Sequence, residues 1–191
     1  MSLEDEIIAR RAANHAKALS DTEAAAREAA TLIAAKGELQ ALISEALKVL
    51  RSNGAKRAID VKHAFATKGW LQKPWFEVSA QPCGYPLGSP SGGLFVLDDD
   101  ELLRHAKDFR VTIQNEYQAE SNRLIENLRR EHNGAQLMSV GLPIGRELKK
   151  PSGWESTFFV ESGQLVYGYC EGMREPARKI VAEWVAKALD A

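Results

Sequence analysis

The first 64 residues contain no aromatic residue and no proline, whereas the other 127 hold all fourteen aromatics and all seven prolines. Alanine fills fourteen of the first fifty positions. Alanine is the best helix former, and the Leu, Glu, Lys and Arg that make up much of the rest follow closely. A segment without proline can run as one uninterrupted helix. The chain therefore reads as an Ala-rich helical arm, residues 1–53, followed by a separate body, residues 54–191.

The ends of the arm carry the signals of one helix. Glu4, Asp5 and Glu6 sit at its start and Lys48 and Arg51 at its end, which suits the helix dipole. Asn53-Gly54 is a stop, because glycine readily takes the left-handed conformation that closes a helix. Ser20-Asp-Thr-Glu23 has the form of a capping box and offers an alternative, a helical hairpin broken there. A single heptad phase crosses that point and favours continuity. Ala12, Leu19, Ala26, Ile33, Gln40 and Leu47 fall on one position, and His15, Thr22, Ala29, Lys36, Ile43 and Leu50 on the position three later. The seam is most apolar near Leu39, Ile43, Leu47 and Leu50, which makes those four the candidate oligomerisation residues.

Length makes this consequential. Fifty helical residues span roughly 75 Å, while a body of this size is about 40 Å across. A body cannot cover such an arm, so coiled-coil self-association or a partner helix is expected.

The body reads as α+β. Ala58–Phe65, Trp75–Val78 and Leu94–Leu97 carry strand patterning, and residues 80–93, rich in Gly and Pro, read as an exposed loop. Asp98-Asp99-Asp100 reads as the start of a helix running from about 99 to 132. A strand follows at 136–142. A hairpin then turns at Ser162-Gly163, between Trp154–Glu161 and Gln164–Cys170. The last helix, Pro176–Leu189, places Ala177, Ile180, Val181, Trp184, Val185, Ala188 and Leu189 on a core-facing stripe. The expected order is α-β-β-β-α-β-β-β-α, a mixed or antiparallel sheet with helices on it.

Composition narrows the function classes. Net charge is close to zero, 25 Lys and Arg against 26 Asp and Glu, which does not favour nucleic acid as a partner. Two distant cysteines, Cys83 and Cys170, argue against a disulfide framework and a cysteine-rich metal site. There is no signal-peptide pattern and no long apolar run, so the expectation is a cytoplasmic chain away from membranes. No cofactor motif is present, and no metal site is expected.

Chemistry has one foothold. Asp60-Val-Lys62 has the D/E-x-K form used by metal-dependent nucleases of the PD-(D/E)xK class. Strand spacing points both side chains to one face, where a carboxylate can hold Mg²⁺ and the lysine can assist phosphoryl chemistry. The usual second acid is missing from residues 52–57. Asp60 and Lys62 are thus catalytic candidates in an alternative reading only. Histidines 15, 63, 105 and 132 lie in four separate segments without ligand spacing. The basic residues after Gly141-Leu-Pro-Ile-Gly145 lack a phosphate-loop pattern. Trp70, Trp75, Tyr85 and Trp154 lie in or near expected loops and form a candidate binding surface. The leading reading is a non-enzymatic interaction protein.

Overall fold

The computed structural model describes residues 3–66, 75–88, 94–109, 118–144, 148, 156–168, 172 and 174–190. The fold is α+β and begins with one helix, α1, Leu3–Ser52. The capping-box alternative is not used. Instead Thr22 Oγ1 donates back to the Ala18 carbonyl at 2.8 Å, as a threonine inside a continuous helix does. The stop at Asn53-Gly54 is a Schellman motif. Gly54 takes φ 66°, its N–H donates to Arg51 O at 3.3 Å, and the Ala55 N–H donates to Leu50 O at 3.0 Å.

Five strands then close into a barrel: β1 Ala58–Ala66, β2 Trp75–Gly88, β3 Leu94–Leu97, β4 Leu103–Asp108 and β5 Leu137–Pro143. Each pairs antiparallel with the next. Five alternating strands are an odd number, so closure must set the first and last parallel. The β1–β5 seam is parallel and short, with the registers Ile59↔Leu137 and Asp60↔Met138. Helix α2, Gln118–Glu131, lies between β4 and β5 and ends on Asn133 in the left-handed region. A second sheet follows, β6 Thr157–Glu161, β7 Gln164–Gly168 and β8 Arg174–Pro176. Ser162 and Gly163, both with positive φ, make the two-residue turn between β6 and β7. The chain closes with α3, Ala177–Leu189.

Two local expectations fail. Residues 80–88 are strand, not loop: they pair with β1 at one end and β3 at the other. The glycine there serves a bulge. Gly84 has φ 124°, and a Cβ on it would sit 2.2 Å from Leu97 O. The β1 register jumps from Gly84 to Pro82 at this point. The extra residue changes the facing, so Cys83 joins the barrel interior while Tyr85 and Leu87 join the outer core. The remaining residues of the expected loop, 89–93, lie outside the described residues. The helix expected from 99 to 132 is also displaced. Residues 103–108 are a strand, and helix is described only from Gln118. Asp98 caps a tight turn instead, its Oδ1 accepting from the Asp100 and Leu102 N–H groups at 3.1 and 2.8 Å.

Three apolar clusters follow from this arrangement. Ala58, Val96, Ala106 and Met138 fill the narrow barrel interior. Ile59, Val61 and Leu137, on the outer face of β1 and β5, meet Leu128 of α2. The largest cluster lies outside β2 and β3, where α1, α3 and the second sheet converge on Trp184. Trp184 is 0 % exposed, with Phe95, Tyr167 and Phe158 rings at 5.1, 5.0 and 5.9 Å. The stripe expected on the last helix is buried from Ala177 to Val185, while Ala188 is half-buried and Leu189, in the last turn, is exposed.

Candidate functional site

Helix α1 has two unlike halves. From Leu32 onward one face packs on the body: Ala35, Leu42, Ala46, Leu47 and Leu50 are buried, and Leu32, Leu39, Ile43 and Val49 are partly so. Of the four candidate oligomerisation residues, Leu47 and Leu50 are therefore buried in the chain's own core. Leu39 and Ile43 border a cavity of about 300 Å³ between α1 and the barrel, walled further by Leu102, Leu103, Ile144 and Phe158.

Polar contacts clamp the same half of α1 onto the turn after β3. Glu101 accepts from Gln40 Nε2 at 2.7 Å and Ser44 Oγ at 2.6 Å. Those two hydrogen bonds, Ser44 first, hold its carboxyl below the usual range. Asp99 accepts from Arg51 at 2.8 Å and also pairs with Arg57. These bonds, Arg51 first, lower the Asp99 carboxyl, and the Asp99 hydrogen bond raises Arg51 in turn.

Residues 6–31 differ. Through Ala30 every side chain described is exposed. The helix projects roughly 40 Å before its packed half begins. Ile8, Leu19 and Ile33 are 62 %, 55 % and 71 % exposed. At about 100° per residue these three fall within roughly 40° of one another. They form a line that runs on toward Gln40, Ser44 and Arg51, where the body meets the helix. Alanines 12 and 26 lie on the same line, while Ile7 lies off it. The helix thus carries a body-covered apolar stretch at its C-terminal end and an uncovered one before it.

Asp60 and Lys62 lie side by side on β1, as the strand spacing predicts. Asp60 is 5 % exposed and points to the interior side of β1. Its Oδ1 accepts from the Val140 N–H at 3.0 Å, extending the short parallel seam that closes the barrel. Lys62 Nζ stands 3.6 Å from Asp60 Oδ2 on a largely solvated side chain. Among the described residues no three His, Cys, Asp or Glu side chains come together to hold a metal ion. Cys83 lies near this carboxylate. Burial first, and the Asp60 charge second, push its thiol up to about 11.

Of the aromatic set only Tyr85 has a described side chain. Tyr85 is buried, 6 % exposed, with the Arg57 guanidinium 5.8 Å from its ring centre. Trp75 opens β2, and its side chain, like Trp70 and Trp154 entirely, lies outside the described residues. His15 and His105 are exposed in different elements, and His105 stacks on Phe95 at 5.5 Å. Residues 145–147 of the basic loop also lie outside the described residues. The Asp98–Glu101 turn that anchors α1 was not anticipated. Its signal was an acidic run facing a helix with Gln40, Ser44 and Arg51 on one side.

Comparison of the chain with protein-family models, with curated proteins and with solved structures finds no match in any of the three. No helix among the described residues is long and apolar enough to cross a membrane.

Proposed function

We propose that this chain is a non-enzymatic interaction protein, in which a barrel-based body anchors a helical arm that self-associates. The observation that carries the reading is the line of Ile8, Leu19 and Ile33, exposed on the part of α1 that precedes its packed half. Burying such side chains is worth about 1.5–3 kcal/mol each, so a surface that aligns them favours a partner. A second support is the clamp at Asp99 and Glu101. Rigid attachment lowers the entropy lost when the arm is captured. The arm is long enough and rich enough in alanine to be helical beyond the body.

The alternative, a phosphoryl-transfer site at Asp60 and Lys62, has less support. The Asp60 carboxylate is engaged with the Val140 amide, and among the described residues no three His, Cys, Asp or Glu side chains gather to hold a metal ion.

Sedimentation of the full chain tests the proposal. The wild type is expected to be oligomeric at tens of micromolar. The Leu19→Asp/Ile33→Asp variant is expected to be monomeric with an unchanged circular dichroism spectrum, since both positions are exposed. A monomeric wild type overturns the proposal.

A further inference from the structure

Resting on that reading, we infer that the occupant of the uncovered face is the arm of a second copy. It lies antiparallel, with the two-fold axis crossing the helices between Ser20 and Asp21. The register follows from the residues themselves. The uncovered seam has Asp5, Ala12, Leu19, Ala26 and Ile33 on one heptad position and Ile8, His15, Thr22, Ala29 and Lys36 on the other. In an antiparallel pair these two positions oppose each other across the seam.

Placing the axis between Ser20 and Asp21 sets Ile8 against the partner's Ile33 and Ala12 against the partner's Ala29. His15 meets the partner's Ala26, Leu19 meets the partner's Thr22, and Asp5 meets the partner's Lys36. Ile8 and Ile33 meet at the two ends, each layer between them carries an alanine or a threonine, and the outermost layer pairs opposite charges. Each layer occurs twice by symmetry, so the contact runs roughly 45–50 Å. The flanking positions are largely alanine (Ala16, Ala18, Ala25, Ala30), which lets the backbones approach closely.

Other arrangements are worse on the same residues. Shifting the axis one half-heptad toward the body sets Ile8 against the partner's Gln40 and Ala12 against the partner's Lys36. It also sets Asp5 against the partner's Ile43, which packs on its own core. Shifting it the other way leaves Ile33 without a layer. A parallel pair in register stacks Asp5 on Asp5, Lys36 on Lys36 and His15 on His15, and aligns the helix dipoles unfavourably. The pairing spans residues 5–36 and stops before Gln40 and Ser44, where the body first meets this side of α1.

Cysteine pairing in the full chain tests the arrangement. Ile8→Cys and Ile33→Cys are made as separate variants, both at exposed positions, and oxidised mildly alone and after mixing. Wild type treated alongside sets the background from the native thiols, and the raised Cys83 thiol keeps that residue's share low. The expected result is a disulfide-linked dimer in the mixture and none above background in either variant alone. Linked dimer from each variant alone means parallel arms and overturns the inference while leaving self-association standing. An oligomer in sedimentation that gives no linkage in the mixture also overturns it. A wild type that sediments as a monomer removes the underlying reading as well.

Discussion

The two halves of α1 are made from nearly the same residue types and do opposite things. The half from Leu32 to Leu50 closes the largest core, and Leu47 and Leu50 are as buried as any residue of the barrel. The half before it shows its described side chains to solvent through Ala30. The difference lies less in composition than in what stands beside each half. Leu42, Ala46, Leu47 and Leu50 meet the body's core. Ile8, Leu19 and Ile33 lie where nothing of the described chain covers them. A helix whose apolar stripe is covered along only part of its length is a device for holding two things at once.

The sharpest way to break this contrast is to remove large buried groups at the packed end. Trp184→Ala is expected to cost about 3–5 kcal/mol, because a fully buried indole leaves a cavity its neighbours cannot fill. Leu47→Ala, on the α1 side of the same core, is expected to cost about 2–5 kcal/mol. Leu19→Ala, the same change on the uncovered half, is expected to alter the stability of a monomeric form by no more than about 0.5 kcal/mol. Chemical denaturation at low protein concentration reads all three, and equal losses for Leu47 and Leu19 would erase the distinction.

A smaller effect sharpens the account of Asp60. If that carboxylate closes the barrel, Asp60→Ala orphans the Val140 amide and lowers stability by about 1–3 kcal/mol. Addition of Mg²⁺ is not expected to stabilise the wild type over the variant. A Mg²⁺-dependent cleavage activity lost in Asp60→Ala would instead favour the phosphoryl-transfer reading.

The smallest effect concerns pH. The Asp99 carboxyl sits below its ordinary range because Arg51 and Arg57 hold it. A depressed carboxyl contributes stability that is full above its unfolded value and lost as pH falls through the folded one. The clamp is solvent-exposed, so its share is slight and shrinks with salt. Thermal melts from about pH 5 down to pH 2 are expected to fall less steeply for Asp99→Asn than for wild type. Identical slopes would mean that the clamp adds nothing.

Much of this fold is legible where local chemistry decides it. Asn53-Gly54 and Ser162-Gly163 demand positive φ, and both are where the structure turns. The stripe through Ile180, Trp184 and Val185 is the buried face of α3. Legibility fails where ladder irregularities imitate other patterns. Pro82, Gly84 and Pro86 look like loop residues, yet they lie in a bulged strand bent between two partners. Leu103 and Ala106 are buried three residues apart, a helical spacing produced here by a register shift between β4 and β5. At the candidate site, the heptad phase of the arm is readable, but the point along it where the body's cover ends is not. Only tertiary packing shows that Leu47 and Leu50 meet their own chain while Ile33 does not.

Hydrogen exchange along α1 tests most directly the claim that one helix serves two bodies. Amides of residues 42–50 are expected to exchange only through global unfolding, at a rate independent of protein concentration. Amides of residues 8–31 are expected to gain protection as concentration rises, because association covers that half alone. Protection of residues 8–31 that does not change with concentration would contradict the account.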